Sequence, residues 1–133
     1  MSDLLRLEGI DVYAHHGAHP AERELGQRFV VDVAMWADLE AAAAADDLSL
    51  GIDYSAVHRV VVATATSCSF HLIETLAGRL CRELLAAFRA ERVRVTVRKT
   101  QPPISGFLGQ AMVTFERDRL WLGTVDAAEG TRG

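Results

Sequence analysis

Residues 27–39 read as one long strand whose two faces are both largely apolar: Phe29, Val31, Val33 and Met35 fall on one side, and Val30, Asp32, Ala34 and Trp36 on the other. Side chains alternate across a strand, so a strand packed in two layers needs only one apolar face. This one asks for cover on both, and that demand limits what the remaining segments can build.

Around it the pattern is regular. Leu5, Leu7, Gly9 and residues 10–13 predict a first strand, ended by the turn-rich run HHGAHP with Gly17 and Pro20 as breakers. An alanine-rich piece at residues 40–45 leads into the polar DDLSLGIDY, which places Asp53 to cap a helix over about residues 55–67, with Val57, Val60, Val61 and Thr64 at helical spacing. A second helix is expected over about residues 72–89, where Ile73, Leu76, Ala77, Leu80, Leu84 and Phe88 form an amphipathic stripe. Val93, Val95 and Val97 alternate into a third strand that ends on Lys99. After the turn KTQPPISGFLG, a fourth strand at about residues 110–119 carries Met112, Val113 and Phe115. Nothing past Leu120 is periodic, and a mobile tail is expected there.

Two strands, two helices and two strands make an α+β chain: a four-stranded antiparallel sheet with both helices on one face. The other face is then bare, and no element is left to cover it. The cheapest cover is a second copy, so the pattern predicts a homo-oligomer joined through sheet edges and sheet faces.

Composition narrows the function. With 133 residues, half of them apolar, the chain fits one domain with a moderate core. A net charge of -4 and scattered arginines leave no basic stripe, so nucleic acid is not an expected partner. No apolar run is long enough for a signal peptide or a membrane span, which predicts a cytoplasmic protein without a membrane partner. Cys68 and Cys81 lack metal-type spacing and read as small core residues.

Of the 14 lysines and arginines, Lys99 is the only lysine. An ammonium can give up a proton when desolvated or set beside another cation, whereas a guanidinium stays charged. Lys99 is thus the first candidate for proton transfer, against the alternative that an arginine-rich composition left one lysine by chance. Glu22, in PAERELGQ between a turn and a strand, is either a carboxylate projecting into a cleft or an exposed loop acid. Glu74, in the first turn of the second helix and off its apolar stripe, is either a ligand-binding group or a partner of the helix dipole. Tyr54 carries a phenol that can stack and hand on a proton, or simply pack. His15, His16 and His19 raise a zinc reading, but their loop has no cysteine and no regular element to fix three imidazoles, so no metal is expected. There is no glycine-flanked serine and no phosphate-cradling loop, which counts against a serine hydrolase or a nucleoside-triphosphate enzyme.

In order along the chain, HGAHPAERELGQRFVVDV, DDLSLGIDYSAV, FHLIETLAGRL and VRVTVRKTQPPI resemble the successive signatures of the dihydroneopterin aldolases. The likeness covers about residues 5–117, which sets a family-like domain at 1–119 and a flexible tail at 120–133. It implies the tunnelling fold, an oligomeric barrel in which tetrameric rings pair into an octamer with sites between neighbouring subunits. It also implies a lyase of tetrahydrofolate biosynthesis that splits 7,8-dihydroneopterin into 6-hydroxymethyl-7,8-dihydropterin and glycolaldehyde, with 2′-epimerisation as a side reaction. No metal, protein Schiff base or cofactor is implied.

Carried over residue by residue, the resemblance makes Lys99 the catalytic lysine, Tyr54 a catalytic phenol donated by the adjacent subunit, and Glu22 the acid near the substrate's polyol side chain. Glu74 would grip the pterin's amino and ring N–H groups, helped by backbone at Leu72 and Ile73, with Asp53 also on the substrate-binding side. One departure stands at Thr100, where the family usually has proline; it is expected to loosen the Lys99 backbone and to affect rate more than reaction type. The rival readings are a dihydroneopterin triphosphate epimerase, a zinc-dependent pterin synthase using the histidine loop, and a non-catalytic pterin-binding oligomer.

Overall fold

A computed structural model of the chain describes residues 2–132. Four strands, β1 (Asp3–Ala14), β2 (Gln27–Ala37), β3 (Arg92–Lys99) and β4 (Ala111–Asp118), form one antiparallel sheet in the order β1-β2-β3-β4. The edges are therefore β1 and β4. Helices α3 (Tyr54–Ser67) and α4 (Ile73–Ala87) lie on one face, as the order of elements predicts; α3 packs against β1 and α4 against β3 and β4. Val57, Val61 and Ala65 of α3 and Leu76, Leu80 and Leu84 of α4 meet Phe29, Val31, Val33, Met35, Val93, Val95 and Val97 in a single core. Among the described residues no helix is long and apolar enough to cross a membrane.

The opposite face differs from the expectation. Ala34 lies in register between Arg6 and Arg94, and Val30 between Asp11 and Arg98; both small side chains are only 7% exposed in the single chain. The Arg92 and Arg94 guanidinium groups lie over the Trp36 ring, 4.1 and 5.1 Å from its centroid. Arg98 also reaches Asp32 at 2.6 Å, and Arg94 reaches Glu116 at 2.9 Å. Arginine stems cover the apolar atoms and present their heads to solvent. This face is therefore a paired charge ladder, and the expectation that it lies bare until a second copy covers it is corrected.

Other differences are local. Where β1 passes β2, the register slips between Leu7 and Ile10. Gly9 sits there at φ +76°, a conformation other residues reach only with strain, and its N–H donates to Asp32 Oδ1 at 2.8 Å. Two short helices, α1 (Pro20–Leu25) and α2 (Glu40–Ala45), and a 3₁₀ turn (Leu48–Leu50) occupy the connections. The segment expected to be an unstructured tail instead forms α5 (Arg119–Arg132). Arg119 at its start donates to the carbonyls of Leu85 and Phe88 at 3.0 and 2.7 Å, closing the end of α4, and Asp126 pairs with Arg82 at 3.4 Å. Cys81 is buried as expected, and burial pushes its thiol up to about 12, but Cys68 is exposed just beyond α3.

Candidate active site

Lys99 is the last residue of β3 and shares the helix-covered face with Val93, Val95 and Val97. Alternation thus points a lysine into the end of the core, where it is 9% exposed. Its Nζ donates to Glu22 Oε1 at 2.8 Å, and the two side chains are 11% and 10% exposed.

The short helix α1 supplies that carboxylate. Pro20 starts it, His19 is its N-cap, and Glu22 is the third helical residue, whose Oε2 accepts the His19 N–H at 3.1 Å. The carboxyl packs directly over Gly17, where a Cβ would come within 2.5 Å of it, so only glycine leaves the room. Burial pushes the Glu22 carboxyl up, but the Lys99 hydrogen bond, the His19 N–H and the lysine charge together hold it below the usual carboxylate range. At neutral pH the Glu22 carboxyl is therefore ionised.

Next to this pair lies His16, fully buried. Its Nε2 donates to the Ala65 carbonyl at 2.7 Å, and its Nδ1 accepts the Phe70 N–H at 2.9 Å. Those partners fix the neutral tautomer with the proton on Nε2 and leave no lone pair for a metal. The ring stacks on Phe70 at 5.3 Å and meets Phe29 edge-on at 5.4 Å. A further backbone bond, Gly17 N–H to Phe70 O at 2.9 Å, ties the loop before α1 to the loop before α4. His15 Nδ1 contacts the Arg23 carbonyl at 3.0 Å, so the three histidines that raised a zinc reading are structural groups spread over one loop.

Glu74 lies in the first turn of α4, exposed beside the half-open Leu72 and the buried Ile73. No side chain caps this helix. The first-turn N–H groups and the Glu74 carboxylate together offer donors and acceptors to one edge of a flat heterocycle. Through Phe70 and Gly17, this end of α4 is anchored to the loop that leads into Glu22.

Tyr54 stands elsewhere. It opens α3, capped by Asp53, whose Oδ1 accepts both the Ser55 N–H at 2.9 Å and the Ser55 hydroxyl at 2.6 Å. The Ser55 hydroxyl and N–H hold the Asp53 carboxyl below the usual range, so in the single chain this acid works as a helix cap. The phenol is 63% exposed and lines an open cavity of about 620 Å³ with Gly9, Asp11, His58 and Arg59. His16 touches α3 at Ala65; Tyr54 lies at the other end of that helix, about 16 Å away at 1.5 Å per residue. One chain brings Lys99, Glu22 and the α4 start to one end of the molecule and leaves Tyr54 apart.

Two contacts around Lys99 are not visible in the sequence. Thr100 Oγ1 donates to the Arg28 carbonyl at 2.7 Å, and the Gln101 N–H donates to Gln27 Oε1 at 2.9 Å, so the expected loosening of the Lys99 backbone at Thr100 is corrected. Helix α1 is missed as well, although Pro20 followed two residues later by Glu22 is a helix-start signal.

The dihydroneopterin aldolase family model matches residues 5–116, from within β1 almost to the end of β4. The chain is 37% identical over 118 residues to a dihydroneopterin aldolase of Streptococcus pyogenes serotype M3, covering 88% of this chain and 99% of that one. Its fold is similar to that of E. coli dihydroneopterin aldolase in complex with neopterin, with a TM-score of 0.79 at 28% identity over 86% of this chain and 98% of that one. A Burkholderia dihydroneopterin aldolase bound to guanine is likewise similar, with a TM-score of 0.73 at 25% identity over 88% and 91% of the two chains. Helix α5 lies beyond the matched residues.

Proposed function

Since the chain belongs to the dihydroneopterin aldolase family, we propose that it cleaves 7,8-dihydroneopterin by a retro-aldol step at the end of the molecule that holds Lys99, Glu22 and the start of α4. The observation that carries this is the buried Lys99–Glu22 pair at 2.8 Å, anchored through the paired loops to the open first turn of α4.

The substrate brings its own electron sink. When the 2′-hydroxyl loses its proton, the C1′–C2′ bond breaks, its electrons flow into the N5=C6 imine, and glycolaldehyde leaves. The resulting enamine takes a proton at C1′ to give 6-hydroxymethyl-7,8-dihydropterin. The protein has to hold the pterin, take one proton and return one; no metal, cofactor or protein Schiff base enters. Glu74 and the N–H groups at Leu72 and Ile73 hold the pterin edge, with two carboxylate oxygens facing two adjacent donors. Glu22 directs the polyol side chain, and its ionised carboxylate shares the Lys99 proton within the site. Lys99 moves the proton through an ordered water. Re-addition of glycolaldehyde to the other face of the enamine accounts for 2′-epimerisation.

Tyr54 takes part from a neighbouring copy. Its separation from Lys99 within one chain favours sites built between subunits, as does a sheet whose two edges, β1 and β4, are both unpaired in the single chain. The tetrameric ring paired into an octamer is the assembly we favour. Two free cysteines suit a reducing cytosol.

The test is incubation of chelator-treated protein with 7,8-dihydroneopterin, following glycolaldehyde and hydroxymethyl-dihydropterin, with Lys99→Ala alongside. Turnover by the wild type and a loss of about 10²- to 10⁴-fold in the variant are expected of a general acid–base group. Pterin binding without product defeats the aldolase reading in favour of a carrier or an epimerase.

A further inference from the structure

The Lys99–Glu22 pair closes a ring of contacts. From Glu22 the chain runs through the rest of α1 and Gly26 to Gln27; from Lys99 it runs on to Thr100 and Gln101. Regular pairing between β2 and β3 stops at Phe29 opposite Lys99. Continued, it would set Arg28 opposite Thr100 and Gln27 opposite Gln101. Those two pairs are in fact joined, but by side chains: the Thr100 hydroxyl donates to the Arg28 carbonyl at 2.7 Å, and the Gln27 side chain, 7% exposed in all, accepts the Gln101 N–H at 2.9 Å. The backbone on both sides of Lys99 is therefore fastened to β2, before it by the ladder and after it by a hydroxyl and an amide.

We propose that Thr100 is a positioning residue for the reaction described above: its hydroxyl holds the end of β3 so that the Lys99 ammonium stays on Glu22 and in line with the substrate. The need for such a clasp follows from leverage. A lysine Nζ stands about 6 Å from its Cα, so a backbone rotation of about 10° moves it about 1 Å, a displacement that can cost a catalytic group most of its advantage. At a strand end the ladder no longer resists that rotation, and turn residues with Pro102 and Pro103 follow at once. The hydroxyl supplies a bond where the ladder has run out. It touches neither Lys99 Nζ nor Glu22, so it acts only through the backbone between them.

The role rests on the aldolase reading for its catalytic consequence, but it has a readout free of that reading. Because Lys99 is the chain's only lysine, acetylation by acetic anhydride, resolved by peptide mass spectrometry from the N-terminal amine, reports the freedom of this one side chain. In Thr100→Val, which keeps the shape and removes the hydroxyl, Lys99 is expected to acetylate several-fold faster than in the wild type. In Thr100→Ser, which keeps the hydroxyl, it is expected to react at the wild-type rate. With 7,8-dihydroneopterin, kcat should fall about tenfold in Thr100→Val and recover in Thr100→Ser, while affinity for neopterin, held at α4, stays unchanged in both. Equal acetylation of Thr100→Val and wild type overturns the proposal, as does a Thr100→Ser variant as reactive as Thr100→Val, or a loss of neopterin affinity that matches the loss of kcat. A wild type that releases no glycolaldehyde defeats the aldolase reading alone, and the acetylation rates still decide the clasp.

Discussion

Removing Lys99 should destabilise the protein in a way that acid relieves. Glu22 and Lys99 are about nine-tenths buried and meet at 2.8 Å, so Lys99→Met leaves a carboxylate in the same enclosed place with only the His19 N–H as partner. Breaking a buried pair by deleting one member costs about 3–5 kcal/mol, and the small residual exposure of Glu22 argues for the lower end. With an unfolding entropy of about 2.1 cal/mol/K per residue, 133 residues give roughly 0.28 kcal/mol/K, so 3 kcal/mol corresponds to a drop of about 11 °C in Tm. The pH dependence has a definite sign. In the wild type, the Glu22 carboxyl is held below its ordinary value of 4.5; its contribution is complete above that value and is lost as pH falls through the folded pKa. In Lys99→Met burial dominates and the folded pKa rises, so the variant regains stability as the carboxyl takes up a proton. The gap in Tm should be widest near pH 7 and narrow towards pH 4. Glu22→Gln, which leaves the ammonium a neutral acceptor, should cost about 1–3 kcal/mol. The double variant should be less destabilised than the sum of the single ones. The assay is thermal unfolding at one fixed protomer concentration, because assembly makes Tm depend on concentration. Single effects that add to within about 0.5 kcal/mol, or a Lys99→Met deficit that does not change with pH, would refute the account of a coupled buried pair.

Burial holds the His16 imidazole below the ordinary value of 6.5 against the pull of the Ala65 carbonyl, with His15 and Lys99 also disfavouring its charge; its contribution is present above that value and lost as pH falls through it. Tm should therefore decline as pH falls below the ordinary value of 6.5, and His16→Asn should flatten that slope; an unchanged slope would place the titration elsewhere. Mixing denatured Lys99→Ala with Tyr54→Phe and refolding them together should restore activity at about a quarter of the sites, if each site takes its phenol from one chain and its lysine from another, whereas no recovery would mean that one chain supplies both. Arg119→Ala, which frees the Leu85 and Phe88 carbonyls at the end of α4, should lower stability by about 1–3 kcal/mol without changing neopterin affinity, and calorimetry with a binding titration checks both.

What the sequence makes legible is what depends on period. The valine alternation of β3 and the stripe of α4 are local, and both stand where the spacing puts them. The charge ladder over Val30 and Ala34 is not local: Arg6, Arg94 and Arg98 come from other strands, and only the register shows that their stems cover β2. Helix α5 was illegible for a related reason. Trp121, Leu122 and Val125 are half-buried, but the Gly123 between them and the polar run that follows hide a stripe that only the end of α4 makes useful.

The site divides in the same way. Composition marks Lys99, yet a stronger signal is its phase: it follows Val93, Val95 and Val97 on the face that alternation sends into the core. An ammonium at that depth without a partner would either lose its proton or force the strand end outward, so the position alone requires a nearby carboxylate. Which carboxylate cannot follow from period, because Glu22 lies 77 positions away and is delivered by a six-residue helix that spacing does not reveal. Tyr54 shows the converse. Its place at a helix start is legible from Asp53, but its distance from Lys99 depends on which end of α3 faces His16, a tertiary fact. A cluster of chemically suited residues in one sequence is thus no measure of their proximity in one chain, and the phenol's separation turns an assembly suggested by strand pattern into a requirement of the proposed chemistry.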